Sequence, residues 1–133
     1  RTRENKKINI MSQKYPTISG EVIHGKALGR TIGFPTANIS LPCNCTDLRD
    51  ATYGLSGIVS WQSYYGIGVY RKSLELFEAY FFDFSDDIYG EIISITPLFQ
   101  IRENYKFGGL EELKNQIEKD KNVMEEWIQA NKE

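Results

Sequence analysis

The sequence predicts a mainly β fold, an antiparallel barrel of five or six short strands with a helical C-terminus. Between Thr17 and Phe99, short runs rich in β-branched and aromatic residues are parted by turn residues. No helix-length stretch separates them, as parallel βαβ units would require. The chain carries two Trp, eight Tyr and seven Phe, ample for a sheet-rich core. Past Gly108-Gly109 the hydrophobic period changes to that of a helix. At 133 residues the chain has the length of one domain with a single core.

Residues 17–24 alternate and are β-branched, so a strand should deliver His24 and Gly25 to a glycine-rich loop. Residues 52–61 and 63–70 read as two further strands with a tight connection around Gln62. Residues 74–84 form a long strand, stopped by Ser85-Asp86-Asp87, whose side chains favour turns. Gly90 gives that turn its exit, and residues 91–99 start the next strand, with Pro97 marking a bulge or an edge. Leu110, Leu113, Ile117, Met124, Trp127 and Ile128 then recur at helical spacing. Glu111 and Glu112 come early, where the helix dipole favours anions. Asp120 is placed to cap a second helix, and the apolar stripe should cover the barrel. No internal repeat is visible.

A net charge of -2 gives no basic field, so nucleic-acid binding has no electrostatic support. A barrel that binds oligonucleotides has aromatics in its favour but lacks a basic groove. No apolar run approaches the roughly 20 residues that span a bilayer, so no membrane partner is expected. Cys43 and Cys45 are too few for a structural zinc site and too close for an unstrained disulfide. They read as reduced thiols, which suits a cytoplasmic location.

The segment that carries chemistry runs from Gly20 to Asn38. Gly25, Gly29 and Gly33 free the backbone to turn and to bring N–H groups close to an anion. Lys26 and Arg30 stand between them, a point charge and a fork for phosphate. Pro35-Thr36-Ala37-Asn38 closes the segment, and Thr36 and Asn38 each offer a neutral oxygen of the kind Mg²⁺ accepts when phosphates complete its shell. The spacing is not that of a Walker A loop: three residues separate Gly25 from Gly29, Arg30 stands where Lys should, and Pro35 forbids a long helix. Glycine-rich segments also serve as plain turns, and spacing alone leaves the two readings level. Glu78 is the candidate proton acceptor, sharing a strand face with Leu76, Tyr80 and Phe82. A carboxylate near a strand's start is also commonly just solvated.

The pattern Gly20-x-Val22-x-His24-Gly25-x-x-x-Gly29-Arg30-x-x-Gly33-Phe34-Pro35-Thr36-Ala37-Asn38 resembles the signature of riboflavin kinase. In bacteria that kinase is usually the C-terminal half of a bifunctional riboflavin kinase/FAD synthetase. The likeness runs from about Tyr15 to Lys121. Glu78-Ala-Tyr-Phe-Phe-Asp83-Phe84 resembles the family's Glu-x-His-x-x-Asp-Phe strand, and Asp87-Ile88-Tyr89-Gly90 its Asp-hydrophobic-Tyr-Gly turn. Arg102-Glu103 with Phe107, then Gln116-Ile117 and Asp120, resembles its closing segment.

The resemblance implies a six-stranded Greek-key-type barrel that phosphorylates the riboflavin 5′-hydroxyl with ATP and Mg²⁺, giving FMN and ADP. It puts Glu78 at the catalytic carboxylate and Thr36 and Asn38 at the Mg²⁺–ATP ligands. Gly25, Lys26, Gly29, Arg30, Gly33 and Pro35 fall on the nucleotide loop, and Arg102 and Phe107 on the flavin side. His24 reads as a local anchor beside the loop. Arg1-Thr2-Arg3-Glu4-Asn5 is similar to the end of the preceding adenylyltransferase unit. The resemblance implies that residues 1–14 are a linker and remnant of an FMN adenylyltransferase domain fused in the parent protein, with the kinase domain over 15–133; a charged, disordered terminus is the other reading of the same composition. One departure stands out. The family's Asn-Ile-Gly-x-x-Pro-Thr-Phe is here Gly66-Ile67-Gly68-Val69-Tyr70-Arg71-Lys72-Ser73, with Asn replaced and Pro-Thr-Phe missing. That departure keeps a second reading open, a catalytically weak flavin- or nucleotide-binding regulatory module.

Overall fold

The structure, a computed structural model, describes residues 15–24, 33–42, 46–84 and 86–132. Six strands form a closed antiparallel barrel: β1 (Ile18–Ile23), β2 (Ala37–Ser40), β3 (Ala51–Val59), β4 (Gln62–Arg71), β5 (Leu76–Phe81) and β6 (Ile92–Arg102). Their spatial order is β1-β2-β5-β4-β3-β6. The meander β3-β4-β5 with β6 returning beside β3 is the Greek-key arrangement. Closure leaves no strand edge open to another chain.

Alternation sets which side chains go in. Ile39, Leu55, Tyr70, Phe77, Ile93 and Ile95 are essentially inaccessible and fill the barrel. Each such side chain stabilises the fold by roughly 1.5–3 kcal/mol. Five strands fall close to the alternating runs of the sequence. The sixth, β2, occupies the Ala37-Asn38 stretch that reads as a ligand-bearing tail; four residues are too short for a period to show. The β3–β4 turn is Ser60-Trp61, just before Gln62, and both residues take positive φ, 50° and 69°. A two-residue hairpin needs that handedness. β5 ends at Phe81 rather than running on to residue 84, and Asp83 turns to φ 61°. β6 runs beyond Phe99 to Arg102 because its pairing with β3 continues to Thr52. Leu55 pairs with Pro97 and Gly54 with Phe99, so Leu98 is the extra residue of a bulge where proline is tolerated.

Among the described residues one α-helix, α1 (Leu110–Ala130), crosses the outside of the barrel. The expectation of a second helix capped by Asp120 is corrected: Asp120 lies in the middle of α1, 2% exposed, held by Arg102 of β6. The C-terminal half of α1 is seated on the sheet. Met124 is fully buried, and Trp127 stacks on Phe99 with ring centroids 5.6 Å apart. The N-terminal half stands away from the strands, and the site opens beneath it.

Candidate active site on the outer face of the barrel

A cavity of about 690 Å³ lies between β4, β5 and the first half of α1. That volume falls in the range of small-molecule sites, about 300–1,000 Å³. Ile67, Val69 and Tyr80 form its barrel wall, and Leu110, Leu113 and Ile117 its helix wall. Phe34 and Thr36 join from the segment before β2, and residues 104–107 from the segment after β6.

Strand register aligns the polar residues. Asn38 stands opposite Glu78, Glu78 opposite Val69, Val69 opposite Thr52, and Thr52 opposite Arg102. These four steps make one row across the outside of the barrel, roughly 19 Å long at the usual strand spacing. The next residues along the strands, Ile39, Phe77, Tyr70 and Tyr53, are core. The alternation that buries them turns the polar row outward.

Glu78 shares the half-exposed face of β5 with Leu76 and Tyr80 and lines the cavity. Arg71 Nη1 donates a hydrogen bond to Glu78 Oε1 at 2.7 Å. Sequence reasoning missed Arg71; the signal was its place at the end of β4, which a hairpin sets beside Glu78. Thr36 lines the same cavity, and Asn38 is tucked next to Glu78, 4% exposed. Among the described residues the Asn38 amide makes no hydrogen bond, and no group of three or more His, Cys, Asp or Glu could hold a metal. A buried neutral oxygen and a hydroxyl suit an ion whose other ligands are phosphate oxygens, the usual habit of Mg²⁺.

Gly33 turns at φ 91°, a conformation that side chains rarely adopt. Pro35 borders a small cleft of about 40 Å³ with Thr36 and Asp86. Gly25, Lys26, Gly29 and Arg30 lie outside the described residues, as do Cys43 and Cys45. His24 stacks on Tyr89, centroids 3.8 Å apart. The turn that carries Tyr89 is tied down: the Tyr89 N–H donates to Asp87 Oδ1 and the Gly90 N–H to the Val22 carbonyl.

At the other end of the row, Arg102 lines the cavity with each of its three nitrogens already donating a hydrogen bond. Its Nε and Nη2 donate to the two oxygens of Asp120, at 3.0 and 2.9 Å, and Nη1 donates to the Glu103 carbonyl. Gln116 donates a further bond to Asp120. The guanidinium carbon of Arg102 lies 5.0 Å from the centre of the Tyr105 ring and 5.7 Å from that of Phe107. Phe107 borders the cavity and is no part of the barrel core. The Thr52 hydroxyl donates to Asn104 Oδ1, and Asn104 Nδ2 donates to the Tyr70 carbonyl. Thr52 and Asn104 were also missed, because only the register brings them to the site.

The unusual Gly66 has a steric cause. A β-carbon there would sit 2.2 Å from the Tyr80 carbonyl oxygen, so β4 and β5 could not hold their present approach around an asparagine.

Residues 12–128 match the family model described as Flavokinase: Riboflavin kinase. An RNA-binding riboflavin kinase of Bacillus subtilis is 44% identical over 113 residues, which cover 77% of this chain and 47% of that protein. A bifunctional riboflavin kinase/FMN adenylyltransferase of Haemophilus influenzae is 37% identical over 118 residues, 84% of this chain and 38% of that protein. The chain thus spans less than half the length of these bacterial relatives. The crystal structure of riboflavin kinase from Trypanosoma brucei superposes with a TM-score of 0.69 at 26% identity, covering 86% of this chain and 78% of that one.

Proposed function

The chain belongs to the riboflavin kinase family, and from that membership we propose that it transfers the γ-phosphoryl group of ATP to the 5′-hydroxyl of riboflavin, giving FMN and ADP. The observation that carries the proposal is the outer row itself. It sets the Asn38 amide opposite the Glu78 carboxylate in the β2–β5 register, and Glu78 and Thr36 line one aromatic-walled cavity.

In this reading Glu78 accepts the hydroxyl proton as the riboflavin oxygen bonds to phosphorus and the bond to the ADP oxygen breaks. Thr36 and Asn38 would hold Mg²⁺ together with the nucleotide phosphates. When bound, the ion neutralises charge on the transferring group. Gly25, Lys26, Gly29, Arg30, Gly33 and Pro35 belong to the loop that meets the phosphates. Tyr105 and Phe107 offer ring faces to the flavin, and Arg102 braces them through Asp120. His24 holds the start of the loop by stacking on Tyr89.

The bifunctional relatives support a parent protein in which an FMN adenylyltransferase unit shares the chain, with residues 15–133 as the kinase domain. No helix among the described residues is long and apolar enough to cross a membrane, which is compatible with the cytoplasmic setting proposed. The test is to supply the purified chain with ATP, Mg²⁺ and riboflavin and to separate the products. FMN and ADP forming in equal amounts would support the kinase. Retained flavin without FMN would favour the weak binding module, the reading that the altered 66–73 segment keeps open.

A further inference from the structure

The residue that sequence reasoning missed beside Glu78 carries a role of its own. We propose that Arg71 is the positioning residue for the Glu78 carboxylate: it holds Oε1 so that Oε2 faces the acceptor hydroxyl. This rests on Glu78 being the proton acceptor.

The geometry is built on rigid elements at both ends. Arg71 pairs with Leu76 across the β4–β5 ladder, and Glu78, two residues further along β5, is its diagonal neighbour on the same face. The connection between them is fixed at three points. The Lys72 N–H donates to Asp50 Oδ1 at 2.8 Å, the Glu75 N–H to the Lys72 carbonyl, and the Leu41 N–H to the Glu75 carbonyl. Arg71 and Glu78 both border the cavity. Among the described residues the Arg71 contact is the only hydrogen bond the Glu78 carboxylate makes, so its direction depends on one partner.

The two side chains are 37% and 35% exposed. Ion pairs that wet contribute little to stability, so the contact should matter to the reaction more than to the fold. The contact is a single Nη1–H···Oε1 bond from a planar group whose N–H directions are fixed, whereas the rotating ammonium of a lysine sets no such direction. During transfer the hydroxyl proton passes to Oε2 while Arg71 keeps Oε1, and no bond of Arg71 forms or breaks. Arg71 also lies within the 66–73 stretch where the chain departs from the riboflavin kinase pattern. Whatever support the missing residues gave the site, this chain supplies a guanidinium in the same stretch.

The test compares R71M, R71K and E78Q with the parent in steady-state and single-turnover conversion of riboflavin to FMN, together with thermal melts. R71M should lower kcat by about 10- to 100-fold, the effect expected of a small misplacement of a catalytic group. KM for ATP and for riboflavin should stay within about twofold, and the melting temperature within about 3 °C. R71K should fall between R71M and the parent. An R71M kcat within about twofold of the parent, with E78Q inactive, would overturn the positioning role and leave the base in place. A raised KM for ATP at unchanged kcat would overturn it too, by making Arg71 a nucleotide contact. Full turnover by E78Q would instead overturn the assignment of the base on which the proposal stands.

Discussion

Asn38 and Glu78 stand directly opposite one another in the β2–β5 ladder, both on the outer face of the barrel. Opposed residues on neighbouring strands hold their β-carbons about 4.5–5.5 Å apart. A neutral oxygen donor and a carboxylate are therefore fixed to each other by backbone hydrogen bonds, not by flexible loops. The ladder couples the two roles proposed for them, because a one-residue slip of either strand would turn its own side chain into the core and part the pair.

That coupling makes N38A a specific test of the metal site. The variant should need at least about tenfold more Mg²⁺ for half-maximal activity, the usual cost of disturbing a metal's surroundings. Riboflavin binding, followed by quenching of flavin fluorescence, should stay unchanged. Chelation of the metal should abolish turnover in the parent.

The Arg102–Asp120 pair ties β6 to the middle of α1 on the flavin side, with the two side chains 17% and 3% exposed. D120A would leave a mostly buried guanidinium without its partner. A destabilisation of about 3 kcal/mol is expected from urea unfolding. Because Arg102 also braces Tyr105 and Phe107, the KM for riboflavin should rise more than that for ATP.

Gly66 is required by the approach of β4 to β5. G66A would drive a β-carbon to 2.2 Å from the Tyr80 carbonyl oxygen, a backbone atom that cannot swing aside. A loss of about 1–3 kcal/mol is expected, the range for forcing extra atoms into packed structure. G66N, which restores the family's residue, should do no better.

Tyr53 gives the fold an alkaline limit. Burial, and secondarily the neighbouring Tyr15, push its phenol up to about 12 from 10.0, and its hydroxyl donates to the Arg49 carbonyl at 2.6 Å. The folded state thus holds this proton more tightly than the unfolded chain. The associated stability is intact below pH 10 and is lost as pH rises toward 12, about 2–3 kcal/mol in all. Urea midpoints measured across that interval should fall, and Y53F should weaken the fall.

The barrel was legible because β-branched or aromatic residues mark every strand long enough to show a period. β2 escaped because four residues carry no period, although Asn38 and Thr36 stood out chemically. The C-terminal helix was legible from Leu113, Ile117, Met124 and Trp127, but Asp120 misled: a cap and a buried ion pair look alike until Arg102 is placed opposite. Glu78 was found through its resemblance to a known strand. Arg71, Thr52 and Asn104 were not, since each joins the site through strand register or a turn of chain that no local pattern encodes. Gly66 read as a departure from the family pattern, and the close approach of β4 to the Tyr80 carbonyl, which only placement of the strands reveals, is its packing counterpart.

The central claim is that this barrel phosphorylates riboflavin with Glu78 as the proton acceptor. The most direct measurement is single-turnover conversion of riboflavin to FMN by the parent chain and by E78Q, with ATP, Mg²⁺ and flavin binding followed in parallel. The account predicts FMN from the parent, and an E78Q protein that binds flavin normally but turns over at least about 100-fold more slowly. Equal turnover by the two proteins, or flavin binding with no FMN from either, would contradict it.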